Sequence, residues 1–227
     1  MDIKLTIPTE QKDISLRQFQ EFAKLGEAQD ENFLQQKMIE LFCNVRLNQV
    51  LFIDHREVKR LSEDITEILN RKPEPIYRFK IKGQEFGMIP NLEAMTFGEY
   101  VDLDTYIGDW QTMHKAMAVL FRPIDVKHKD KYTIYPYTGA DEFADLMQFM
   151  PLDVVMGAMV FFYRLGNELL KATQSYLVEE VREMVSTTDN NFPKSMDGII
   201  QSIHSQREIL INLIELQSTE LDNALPY

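Results

Sequence analysis

The chain has 227 residues, 44% hydrophobic and 26% charged, an ordinary folding composition that can bury a core in one large domain or two small ones. Its net charge of −12 repels phosphate backbones and anionic lipid, so no direct nucleic-acid or membrane contact is expected. A single cysteine, Cys43, rules out an intramolecular disulfide framework, and Met1–Pro8 lacks the apolar centre of a secretory signal, so the expected setting is cytoplasmic.

In chain order, Ile3, Leu5 and Ile7 alternate with Lys4 and Thr6, which predicts a short strand ended by Pro8. Ser15 is placed to cap a helix carrying Leu16, Phe19, Phe22 and Ala23, with Gly26 as its stop. Asp30 opens a second helix with Phe33, Leu34, Met38, Leu41, Phe42 and Val45 at helical spacing. Asp54 with Glu57, and Ser62 further on, are start signals for a third, whose apolar face is Val58, Leu61, Ile65, Ile68 and Leu69. Pro73 and Pro75 suggest a boundary between a strand-and-helix part, 1–73, and a second part, 74–227. One continuous domain is the alternative.

From Ile76 to Pro90 the period becomes two, with Lys82-Gly83 as the turn of a β-hairpin. Thr96 and Glu99 have the spacing of a capping box. Asp109 is placed to cap a helix from Trp110 to Phe121, ended by Pro123. Tyr132, Ile134 and Pro136 form one face of a further extended run, and Asp141 opens a helix through Phe143, Leu146, Met147 and Met150. That helix leads into the stretch around which the chain is organised, Pro151 to Ser186. Leu152–Leu165 is apolar on nearly every side, so it should be buried all round. Asp153 and Arg164 bracket it too closely for the ~18–20 residues of a membrane span. Past the loop at Ser186–Ser195, apolar residues at helical spacing from Met196 to Leu221 predict a long helix. It would fold back on Leu165–Val185 as a helical hairpin or meet a partner chain. The expected fold class is therefore α+β and predominantly helical, with a short β-hairpin packed on helices and a long C-terminal helical hairpin.

No catalytic, cofactor-binding or metal-ligating residue emerges. His55, His114, His128 and His204 are scattered, none with a second ligand at metal spacing, and His114 reads as a structural histidine. Asp54-His55 is better explained by helix capping. Asp102 and Asp104, with Asp109 nearby, form the one carboxylate cluster worth weighing. Side chains two apart could share Mg²⁺ or Ca²⁺ on an extended backbone, but the further oxygens and the glycine of a calcium loop are missing, so turn and cap duty is preferred. Lys127-His128-Lys129-Asp130-Lys131 reads as a solvated loop. There is no phosphate-binding glycine loop, no dinucleotide fingerprint and no nucleophile elbow. Cys43 and most of the 12 methionines read as core filling.

Three blocks together resemble a known group. They are Phe86-Gly87-Met88-Ile89-Pro90-Asn91-Leu92 with Met95-Thr96-Phe97-Gly98-Glu99-Tyr100-Val101-Asp102-Leu103; Trp110 to Pro123; and Gly157-Ala158 followed by Phe161-Phe162. The combination is similar to small proteins encoded in the virion and tail-assembly regions of tailed phages, including crAss-like phages of Bacteroidetes. It spans roughly residues 76–170. The resemblance implies a non-enzymatic structural or assembly protein acting through protein–protein contacts, as a virion or tail-associated component or packaged cargo. A tail assembly chaperone absent from the virion is the alternative, and a small metal-dependent enzyme using Asp102 and Asp104 ranks below it. A plain adaptor outside any virion is a third reading. The implied partners are other phage structural or assembly proteins, or further copies of the chain. The implied location is the virion or the cytoplasm of the infected bacterial host.

Overall fold

The computed structural model describes residues 4–25, 30–129, 131–162 and 164. The fold is α+β and mainly helical, as the sequence pattern predicts. Helices α1 (Leu16–Ala23), α2 (Glu31–Phe42), α3 (Leu47–Val50) and α4 (His55–Leu69) precede the hairpin β1 (Arg78–Ile81) and β2 (Gln84–Met88). Then come α5 (Phe97–Tyr106), α6 (Met113–Leu120), β3 (Phe121–His128), β4 (Lys131–Ile134) and α7 (Asp141–Met147). A final helix, α8, covers 152–162. The strands form one antiparallel sheet in the order β1-β2-β3-β4.

Local chemistry sets most of these boundaries. Ser15 and Gln18 exchange a capping box at the start of α1, and the carboxylates of Asp30 and Asp54 accept from the first-turn N–H groups of α2 and α4. Lys82 and Gly83 both take positive φ, 47° and 86°, which is the two-residue turn that matches the twist of the flanking strands. Phe79, Ile81, Phe86, Met88 and Phe121 face the core from one side of the sheet, and the Phe79 ring meets Phe86 at 5.7 Å and Phe121 at 5.3 Å.

Helix α8 is buried as expected over most of 152–159, whereas 160–162 are half-buried and Arg164 is exposed. Leu152, Val154, Val155, Gly157, Ala158 and Met159 are all inside, and a Cβ on Gly157 would lie 2.8 Å from the Glu74 carbonyl oxygen. The N-terminal segment zips onto the start of this helix. Leu16 N–H donates to Met150 O (2.8 Å), Arg17 N–H to Gln148 O (2.8 Å) and Leu152 N–H to Ile14 O (2.9 Å). Core residues on both sides of Pro73 and Pro75 belong to one contiguous cluster.

Four expectations change. Residues 4–9 are extended but form no strand: Thr6 N–H donates to Cys43 O (3.3 Å) at the end of α2, no ladder lies beside them among the described residues, and Ile7 is 44% exposed. The helix expected from Trp110 starts at Met113, because Asp109 folds 109–112 into a turn by accepting from Gln111 N–H (2.8 Å). The helix ends where expected, with Phe121 as its C-cap, but Phe121–Pro123 also opens β3, an interior strand that was not expected. Pro123 sits there with its carbonyl accepting from Tyr135 N–H (3.0 Å), and the register to β4 shifts between Ile124 and Lys127, an irregularity of the kind that tolerates a proline. Helix α7 does not run into α8: a turn at 148–150 and the bridge between Pro151 and Ser15 separate them. The expected C-terminal helical hairpin and the Gly26 stop lie outside the described residues. No described helix is long and apolar enough to cross a membrane.

Candidate interaction surface

Thr96 and Glu99 build the start of α5. Thr96 N–H donates to Glu99 Oε2 (2.6 Å), and Glu99 N–H donates to Thr96 Oγ1 (3.3 Å). The other carboxylate oxygen does something the capping pattern does not announce: Glu99 Oε1 accepts from the Arg122 guanidinium at 2.5 Å, and the two residues are only 3% and 6% exposed. The Tyr137 ring covers this pair, 5.4 Å from the guanidinium carbon, and its hydroxyl donates to Asp102 one turn further along α5. Burial alone would raise the Glu99 carboxyl. The Thr96 N–H and the Arg122 guanidinium outweigh it and hold the group below the ordinary glutamate range. Burial, reinforced by Asp102, pushes the Tyr137 phenol up, so it stays a donor.

This cluster pins α5 from behind and leaves its front bare. Phe97, Tyr100 and Val101, at helical positions i, i+3 and i+4, are 82%, 41% and 41% exposed. Adjacent large apolar side chains held in solvent on a fixed helix make this face a candidate contact surface.

The residues weighed for chemistry fall apart in space. Asp102 and Asp104 lie inside α5, neither in a turn nor at a cap, which corrects the turn-and-cap expectation. Two apart on a helix, they point about 200° from one another. Asp102 is taken by Tyr137, Asp104 is exposed, and Asp109 caps its own turn, so the extended backbone required for a shared metal is absent. Among the described residues no three His, Cys, Asp or Glu side chains are grouped to hold a metal. His114 is half-buried with Nδ1 3.0 Å from Gln20 Nε2, and burial followed by the Lys115 charge lowers it, so it is neutral near pH 7. His55 is the exposed first residue of α4, capped by Asp54, and His128 is exposed near the β3–β4 tip. His204 lies outside the described residues. Lys127, His128, Lys129 and Lys131 lie at that hairpin tip, with Lys127 2.8 Å from Glu85. Cys43 is fully buried, and burial pushes its thiol up to about 11, so it is inert.

The Glu99–Arg122 pair was not foreseen, because the capping box already accounts for Glu99. The usable signal was a lone arginine in the apolar run Val119-Leu120-Phe121-Arg122-Pro123, which needs a buried acid somewhere. No protein-family model, curated protein or solved structure matches this chain.

Proposed function

We propose that this chain is a non-enzymatic structural or assembly protein of tailed phages that works through protein–protein contacts. The observation that carries the contact part of this reading is the bare apolar front of α5, Phe97, Tyr100 and Val101, on a helix fixed by a buried ion pair. The phage part rests on the resemblance. Two of its blocks are joined by that pair, since Glu99 belongs to the first and Arg122 to the second, and the third packs Gly157 on the backbone at Glu74. A fixed apolar surface suits a component that must meet its neighbours in one orientation. Phage particles and other phage structural or assembly proteins are then the setting and the partners.

Mass spectrometry of purified particles, alongside the lysate of infected cells, tests the proposal. Presence at stoichiometric level in particles supports a virion component or cargo, and presence in lysate bound to assembly intermediates supports the chaperone form. A chain found free in lysate, with neither particles nor intermediates, would overturn the reading.

A further inference from the structure

The sheet has a second face, and its charge differs from the rest of the chain. Register places Arg78 opposite Gly87 and Lys80 opposite Glu85, so these side chains point away from the core that Phe79 and Phe86 enter. Tyr132 closes over Gly87, where a Cβ would lie 2.3 Å from its ring, and the Arg78 guanidinium stands 5.9 Å from the centre of that ring. Lys80 and Lys127 are exposed beside Glu85, which Lys127 holds at 2.8 Å, whereas Lys82 in the turn leans away onto the Phe149 ring. A chain of net charge −12 thus carries a basic outer sheet face.

Next to it lies the opposite charge. Between Lys82 and Lys115 the sequence has no lysine or arginine. Of its acids Asp104 and Asp109 are exposed, whereas Glu99 is paired with Arg122, Asp102 with Tyr137 and Glu85 with Lys127. The front of α5 belongs to this stretch, with Asp104 continuing the line of Phe97, Tyr100 and Val101. The two regions adjoin, because Arg122 pairs with Gly87 across the outer sheet face and also binds Glu99 of α5. One side of the molecule therefore joins a sheet face carrying Arg78, Lys80 and Lys127 to the apolar front of α5 with its exposed Asp104.

We propose that this side docks a second copy of the chain, related by a two-fold axis that lays each α5 on the other's outer sheet face. A two-fold contact repeats every pair, so acid meets base twice and Phe97 is covered twice. Packing α5 on α5 would instead bring Asp104 towards its own copy. The apolar anchors matter because two bodies of charge −12 repel at long range, and the local match must overcome that. The proposal deepens the contact reading given above by naming the partner and rests on it, but it is tested separately from particle association.

The test uses the full chain in analytical ultracentrifugation across a concentration series, with circular dichroism as the fold control. Wild type should show a monomer–dimer equilibrium. K80E alone, or D104K alone, should each weaken dimerisation about tenfold or more, since like charges then face one another. Mixing the two variants in equal amounts should restore a heterodimer, because each reversed face then meets its complement. F97S, which changes no charge, should also lower the dimer fraction and keeps the test alive if a charge variant fails to fold. A wild type that stays monomeric overturns the proposal, the basic residues then serving only to keep the edge strand from pairing. Dimers indifferent to both reversals also overturn it, by placing self-association elsewhere on the chain. Neither result bears on whether the protein is found in particles.

Discussion

Removing Arg122 tests the central claim about how α5 is held. In R122M the Glu99 carboxylate stays buried with the Thr96 N–H as its remaining strong partner, and Tyr137 loses the cation beneath its ring. Breaking a buried pair from one side costs about 3–5 kcal/mol, and the surviving Thr96 bond places this case towards the lower end. For a domain of this size each kcal/mol moves Tm by about 2–4 °C, so a fall of roughly 6–15 °C is expected in thermal denaturation followed by circular dichroism. E99Q leaves the cap in place but abandons Arg122, and should cost a similar amount. The double variant should be less destabilised than the two singles added together, by about 1 kcal/mol or more.

Acid titration gives an independent readout of the same pair. The folded chain holds the Glu99 carboxyl below its ordinary value of 4.5, despite burial pushing the other way, because Thr96 and Arg122 favour the charged form. The unfolded chain therefore takes up this proton first as pH falls. The stabilisation is complete above the ordinary value and is lost as pH drops through the lower folded value. Wild type should lose stability more steeply than E99Q below about pH 4.5. A coupling near zero, or an R122M loss within about 0.5 kcal/mol of wild type, would refute the account of α5 as anchored by this pair.

Other consequences follow from packing and geometry. A158D puts an unpaired carboxylate into a site that is 2% exposed, and should unfold the domain in the same denaturation assay. G157A forces a Cβ to within 2.8 Å of the Glu74 carbonyl, and should cost about 1–3 kcal/mol in urea unfolding. Cys43 should resist a thiol reagent in the native chain and react only in denaturant, whereas rapid native labelling would contradict its full burial. D102N with D104N should leave the fold within about 1 kcal/mol of wild type, since an amide still accepts from Tyr137 and Asp104 is exposed. A micromolar divalent-cation site in calorimetry that this double variant abolishes would instead revive the metal reading.

What could be read from the sequence was whatever neighbouring residues decide between themselves. The capping positions Ser15, Asp30, Asp54 and Thr96 each act within three residues of their partners, and the Lys82-Gly83 turn joins strands that face one another immediately. Helix α8 was legible because burial on every side leaves no polar stripe. The misses came from distant partners. Residues 4–7 have the alternation of a strand, but among the described residues their backbone meets the end of α2 and no strand. Strand β3 was hidden by Pro123, which reads as a helix stop, although the period-two pattern of Phe121, Arg122 and Pro123 was present. The ion pair linking residues 99 and 122 exists only once β3 lies in the sheet, so misreading the strand also concealed the pair.

That dependence explains why a costly group is kept at this position. A buried ion pair is a weak way to add stability, because apolar residues of the same size often do as well or better. What it adds here is direction: Glu99 accepts from Thr96 N–H at the helix start and from Arg122 on the outer sheet face, and Tyr137 ties both to Asp102 one turn on. Three elements thereby fix the rotation of α5 about its own axis. Leu103 and Tyr106, packed on the core, already turn α5 inward, and the directional bonds of Glu99 and Tyr137 narrow that rotation further. On the contact reading proposed above, that setting presents Phe97, Tyr100 and Val101 to a partner in a defined orientation. An apolar Glu99–Arg122 replacement that keeps stability but lets α5 turn should therefore preserve the fold and lose the contact.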